Sequence, residues 1–326
     1  MLALSDGRLL LAWSKFDGNH DNSTARIACA LSSDGGRTWE DERPLIENTA
    51  GLNVMSPALR SLSDGSIGLV FSFRRSITQA TRRFQRSTDE GGSWSDPVDI
   101  TRDGYRTGGH DRLTVLATGR ILAPLHCTDE WNSHYLYVQV ARSDDLGQTW
   151  RLSGKVELPA VASAESGCIE PDIVERADGS LLMILRTAMG TIFRAESRDA
   201  GETWVNLRSM EVTAPIAPAI IRRIPGTDNL LLVWNWVFDP SDPMNGRRRR
   251  LSCAVSRDGG DSWPVAHRKV LEPDPHDCFA YPSCTFHDGY ALLTYYHMHA
   301  DVAFNFDGPR SLKLMRIPAA WLYEPA

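Results

Sequence analysis

SSDGGRTW, Ser32 to Trp39, is polar and glycine-rich yet ends on a tryptophan. It recurs as STDEGGSW (87–94), SDDLGQTW (143–150), SRDAGETW (197–204) and SRDGGDSW (256–263). The shared pattern is Ser-x-Asp-x-Gly-x-Ser/Thr-Trp, and its aspartates, Asp34, Asp89, Asp145, Asp199 and Asp258, stand 55, 56, 54 and 59 residues apart. Five copies at near-constant spacing mark a repeat architecture. Within each copy, Asp and Ser side chains can bond the amides of a tight turn. The glycine permits positive φ without steric cost, and the tryptophan can pack its ring beneath the turn. Five copies on five repeats read as structure, not as five sugar-stacking platforms.

A second signal runs in phase with the first. Six turns sit between apolar runs: LSDGRLLLAW (4–13), LSDGSIGLVF (62–71), LATGRILAPL (116–125), RADGSLLMIL (176–185), IPGTDNLLLVW (224–234) and FHDGYALLTYY (286–296). Asp-Gly between apolar runs is a strong hairpin cue, and the Leu, Ile, Val and Trp that follow read as buried strand. Each repeat of about 55 residues then holds strand, turn, strand, longer loop, strand, octapeptide and strand. That predicts an all-β chain, a six-bladed β-propeller of four-stranded antiparallel blades forming one domain over 1–326. Only five residues precede Asp6, so the first blade is expected to be truncated at its N-terminal side. The last repeat has no octapeptide; 310–317 (RSLKLMRI) reads as its third strand, and AAWLY near the C-terminus as the one helical turn.

Bulk composition narrows the function classes. Lys and Arg total 35 against 41 Asp and Glu, a net charge of −6, and the sole basic block is Arg247 to Arg250. That argues against a nucleic-acid partner. No apolar run is long enough to span a membrane. Residues 1–13 are interrupted by Asp6 and Arg8 and do not read as a signal peptide. The expected compartment is therefore the cytoplasm, or outside the cell if the true N-terminus lies upstream. The six cysteines are spread without a Cys-x-x-Cys and read as buried free thiols. The histidines show no metal-ligand spacing, so neither metal nor cofactor is expected.

The octapeptide is the Asp-box, and over nearly its whole length the chain resembles the sialidase (neuraminidase) superfamily of six-bladed propellers. The Asp-box also occurs in unrelated β-proteins, so function rests on other residues. Antiparallel strands put the short turns and Asp-boxes on one face. The long loops, 14–25, 73–82, 126–134, 235–250 and 297–310, lie on the other, where function is expected.

Glu170, in SGCIEPDIVERADG, precedes the fourth hairpin, and Arg186 follows it 16 residues later. The resemblance implies a glutamate and a carboxylate-binding arginine at these two places. A solvated loop carboxylate is the ordinary role of such a glutamate, but its flank of Cys168, Ile169 and Pro171 argues against it. Tyr281, in CFAYPSCTFHDGYALLTYY, holds the corresponding place before the sixth hairpin, where sialidases carry a nucleophilic tyrosine. Tyr295 and Tyr296 read as packing or pocket wall. Asp21, in SKFDGNHDNST, matches the family's acid/base aspartate; Asp17 competes with it and could equally serve an Asp-Gly turn. Another triad arginine is implied in NGRRRRLSCAVSRDGGDSW, where counting back from the Asp-box favours Arg248 over Arg247 and Arg249. Asp111 and Arg112 precede the third hairpin, and Trp131, with His126 and His134, lies in that repeat's long loop. These read as pocket lining, or, for Asp111 and Arg112, as a structural pair.

The resemblance further implies a retaining exo-glycosidase acting on terminal sialic acid or a related acidic sugar, with a glycan as partner. A sialidase-like enzyme for another sugar and a non-catalytic carbohydrate-binding propeller are the alternatives. The family's first triad arginine precedes the first hairpin and has no counterpart after Met1, which sets those alternatives beside the enzyme.

Overall fold

The structure, a computed structural model, describes residues 1–163, 165–242, 246–299 and 310–325. It divides into two compact units, Met1–Lys155 and Val156–Ala326.

In the first unit, Leu2–Ala3, Leu9–Phe16, Ala25–Ser32 and Glu40–Ile46 form a four-stranded antiparallel sheet. Its first strand is only two residues long. The next two repeats share one sheet. Asn53–Ser61, Ile67–Arg74 and Ala80–Ser87 are joined to Ile121–Thr128, Tyr135–Ser143 and Arg151–Leu152 through the short strand Tyr105–Thr107. This departs from uniform four-stranded blades. The third repeat keeps just Thr114–Val115 of its inner strand, because the backbone before it bonds elsewhere. The fully buried Arg82 donates to the Gly109 carbonyl at 3.1 Å, and a Cβ on Gly108 would meet the Pro124 carbonyl at 2.8 Å.

The second unit has two four-stranded antiparallel sheets, Ile169–Glu175 to Val205–Thr213 and Ile220–Arg223 to Arg268–Glu272. A three-stranded sheet follows, Asp277–His287, Tyr290–His299 and Arg310–Pro318, and Ala319–Tyr323 forms a 3-10 turn. Ile220, Leu231, Val233, Leu251, Phe279, Leu293 and Tyr295 are buried together between the last two sheets. Each large apolar side chain so placed contributes about 1.5–3 kcal/mol. Of the five long loops, the residues 243–245 and 300–309 lie outside the described residues.

All five Asp-boxes fold alike. In the first, Ser32 Oγ donates to Asp34 Oδ1 at 2.9 Å and accepts the Gly36 amide at 2.8 Å. Asp34 Oδ1 also accepts the Thr38 amide at 2.9 Å, and Oδ2 the Thr38 hydroxyl at 2.7 Å. The same four bonds recur around Asp89, Asp145, Asp199 and Asp258. The boxes also seat neighbouring repeats against each other. A Cβ on Gly91 would touch Leu10 at 3.2 Å, one on Gly147 would strike the Phe84 ring at 2.0 Å, and one on Gly260 would meet Leu182 at 2.5 Å.

The hairpins differ from the two-residue form that Asp-Gly suggests. The Gly7, Gly65, Gly119 and Gly179 amides each close a turn three residues back, to Leu4, Leu62, Leu116 and Arg176, and each glycine has positive φ. These are three-residue loops ending in a glycine bulge. The sixth, with Asp288 and Gly289 both at positive φ between paired His287 and Tyr290, is the two-residue type.

Candidate active site

One local device recurs on three inner strands. Between Ile169 and Asp172 the strand advances three residues while its partner advances two, from Arg186 to Ile184. The same bulge lies between Met55 and Ala58 and between Ala280 and Ser283. Each contains a residue of positive φ followed by proline: Ser56-Pro57, Glu170-Pro171 and Tyr281-Pro282, with φ of 57°, 45° and 55°. Proline is tolerated there because a bulge has no ladder bond to receive from it, and the bulge re-aims the side chain of the residue before. Left-handed backbone at a non-glycine residue costs about 1–3 kcal/mol, and such strain concentrates at functional sites. Glu170 and Tyr281 therefore occupy equivalent positions in their sheets. Asp111, with φ 54°, has the same backbone conformation in the third repeat.

Around these two positions the second unit gathers a buried charged cluster. Arg186, 5% exposed, leaves its strand opposite Ile169 and donates Nη1 to Glu170 Oε2 at 2.6 Å. Its Nη2 bonds Glu165 Oε2. Burial alone would lower the Arg186 pKa, but the Glu165 and Glu170 carboxylates outweigh it and raise it. Arg248, 9% exposed, donates Nη1 to the Tyr296 hydroxyl at 2.9 Å and lies over the Tyr281 ring at 4.9 Å. Tyr281 and Tyr296 have ring centroids 5.5 Å apart. Burial opposes the charge on Arg248 too, yet Tyr296, Tyr281, Glu170 and Glu165 together raise its pKa well above the usual value. Both arginines stay charged.

The backbone of the cluster is pinned from behind. The buried Asn235 donates Nδ2 to the carbonyls of Phe279 at 2.8 Å and Arg249 at 3.0 Å. The Phe279 amide donates to the Arg248 carbonyl at 2.9 Å. Of the arginine block, Arg247 pairs with Asp242 at 2.6 Å and Arg250 stacks over Trp236 at 4.4 Å, while Arg248 reaches the tyrosines.

The remaining expected residues lie in the first unit. Asp21 is exposed in the loop between Leu9–Phe16 and Ala25–Ser32. Its carbonyl accepts Asn53 Nδ2 at 2.8 Å and Nη1 of the buried Arg74 at 2.6 Å. Among the described residues its carboxylate has no partner, whereas that of Asp17 accepts Thr24 Oγ1 at 2.8 Å and pairs with Arg26 at 3.3 Å. Asp111 receives Arg60 at 2.6 Å, and Arg112 is fully buried. Trp131 opens a 3-10 turn, 36% exposed, with its ring 4.5 Å from that of Tyr105.

The BNR repeat-like domain model matches residues 7–298. The chain belongs to this family, within the sialidase superfamily. The matched span includes all five Asp-boxes and Asp21, Glu170, Arg186, Arg248 and Tyr281. Among relatives of this BNR repeat-like chain, the sialidase of Paraclostridium sordellii is 29% identical over 232 residues, 62% of this chain and 55% of that protein. The sialidase of Clostridium perfringens is 27% identical over 234 residues, 62% and 58% respectively. The chain thus spans little more than half the length of these relatives. Among solved structures, a leech intramolecular trans-sialidase superposes with a TM-score of 0.76 at 16% identity, covering 98% of this chain and 67% of the other. The intramolecular trans-sialidase of Ruminococcus gnavus gives 0.74 at 17%, covering 99% and 94%. These likenesses give an all-β, propeller-like fold.

Sequence reasoning missed Glu165, Asn53, Arg74 and Asn235. Each is an ordinary polar residue in its local context, and its role emerges from a partner 14 to 53 residues away. One signal was present for Arg74: it closes the uncharged, largely apolar run IGLVFSF (67–73).

Proposed function

We propose that the chain is a retaining exo-glycosidase of the sialidase kind, releasing terminal sialic acid or a related acidic sugar within a six-bladed propeller. The observation that carries this is the buried cluster of Arg186, Arg248, Glu170 and Tyr281. The relatives named sialidase support it.

An arginine fork matches a carboxylate bidentately and stays charged when buried, so Arg186 and Arg248 hold the substrate's carboxylate. A carboxylate nucleophile would approach an anionic sugar against like charge. A tyrosine is neutral until it attacks, and sialidases are an exception to the two-carboxylate scheme for that reason. Tyr281 attacks the anomeric carbon, Glu170 takes its proton, and Asp21 protonates the leaving oxygen and then activates water. Tyr296 orients Arg248, and the Asn53 and Arg74 bonds to the Asp21 carbonyl hold the loop that bears the acid. Trp131 offers an apolar ring to the sugar.

Glu165 has a distinct part. With Glu170 on one outer nitrogen of Arg186 and Glu165 on the other, the incoming carboxylate must displace Glu165, which at 41% side-chain exposure is free to swing out. A fluorogenic α-sialoside assay with product anomer analysis tests the assignment. Release of sialic acid with retention is the expected result. Binding of sialic acid without release would make the chain a lectin, and neither would require another sugar.

A further inference from the structure

Asp277, His297 and His299 form a second polar cluster on the final sheet. The strand register creates it: Asp277 pairs with His299, and Phe279 with His297. Side chains two apart on a strand share a face, so both imidazoles and the carboxylate project together, and Tyr296 projects the other way. Asp277 Oδ2 lies 2.6 Å from His297 Nε2, and Oδ1 lies 2.6 Å from His299 Nδ1. The three donor atoms all fall within 4.8 Å of one another.

We propose that Asp277, His297 and His299 form a binding site for a divalent transition metal, with Zn²⁺ the best match. Two imidazoles and one carboxylate suit zinc, whose protein ligands are nitrogen and oxygen at about 2.0–2.2 Å. Ligand atoms on a tetrahedral ion of that radius stand about 3.3 Å apart. The two 2.6 Å contacts would open by less than about 1 Å, within the reach of small side-chain rotations. The ring of His297 is already oriented, stacked on Phe279 at 5.2 Å with 12° between planes. Exposure rises across the set: Asp277 is buried, His297 partly buried and His299 exposed. The ion would enter from the His299 side and keep at least one position for water. The metal would tie together the strand carrying Tyr281 and the strand carrying Tyr296. The role is structural, and it departs from the metal-free expectation of the sequence. His297 and His299 are unremarkable in the chain until Asp277 is paired across from them.

The test is zinc titration of the tag-free chain by calorimetry, with metal content measured after dialysis. One equivalent of Zn²⁺ is expected, with a higher melting temperature in zinc than in EDTA. His299→Ala removes an exposed ligand without disturbing the core. It should weaken binding by more than the about 10–100-fold that loss of a supporting partner costs at metal sites. His297→Ala/His299→Ala should abolish both binding and the zinc-dependent stabilisation. Circular dichroism in EDTA checks that each variant is folded. No zinc uptake by the wild type would overturn the site, as would equal uptake by wild type and a folded double variant.

Discussion

Glu170 and Tyr281 owe their placement to a backbone conformation that few side chains adopt. Ser56 shares it, with φ 57° and a following proline, but carries no charge, and its carbonyl accepts Nη1 of the buried Arg82 at 2.8 Å. Ser56→Gly is therefore expected to stabilise the protein by about 1 kcal/mol, because glycine carries no left-handed penalty; urea unfolding of the first-unit signal reads this out. Tyr281→Phe keeps the ring over which Arg248 lies and removes only the hydroxyl. Turnover of an α-sialoside should fall at least about a thousandfold with the melting temperature unchanged, and retained activity would refute the nucleophile assignment. Glu165→Gln removes a carboxylate that competes for Arg186. KM should fall about fivefold, equivalent to about 1 kcal/mol of a partly exposed ion pair, with kcat nearly constant. A rise in KM would show instead that Glu165 assists binding.

At the scale of the element, the Asp-box serves as the seat between repeats as well as the turn within one. Gly147 illustrates both duties. It has φ 87°, and a Cβ there would lie 2.0 Å from the Phe84 ring, which also meets the box tryptophan Trp150 edge-on at 5.5 Å. Gly147→Ala is expected to cost about 2–4 kcal/mol, combining backbone strain with overpacking. A melting experiment in which Gly147→Ala matched the wild type would show that the seat can shift. The equivalent change at Gly154, which has no neighbour within 4 Å of an added Cβ and an ordinary φ, supplies the control.

Across the whole molecule, the five box carboxylates give stability a common acid limb. The Ser93 hydroxyl and amide hold Asp89 down to about 2. At Asp199 burial pushes upward, but the bonds from Thr203 and Ser197 prevail and bring it to about 2. Asp34, Asp145 and Asp258 are also lowered. An unfolded aspartate titrates near 3.9. A folded pKa below that value means the stabilisation is complete above about pH 4 and lost as pH falls from there toward 2. Melting temperatures from pH 6 to 2.5 should drop steeply below pH 4, and Asp89→Asn should be less stable at pH 6 with a shallower acid limb. An unchanged slope in that variant would remove the box carboxylates as the cause.

The repeat, the turns and the strands were legible in the chain because they are local: a tight turn needs its Asp, Gly and Trp within eight residues, and a buried strand shows its apolar run directly. The register of those repeats, read with the resemblance to sialidases, put forward Asp21, Glu170, Arg186, Arg248 and Tyr281 as candidates, of which the second unit gathers the last four in one cluster. It could not show that Tyr105–Thr107 would join two repeats in one sheet, or that Arg82 would bond the Gly109 carbonyl. Both outcomes depend on hydrogen-bond competition between distant segments. Nor could it show the Glu165 bond to Arg186, the proline bulges as one repeated device, or the meeting of Asp277 with His297 and His299. Those are contacts between side chains brought side by side by strand pairing, and strand pairing is decided by the packed sheet, where a shift of one residue would turn every one of them to the opposite face.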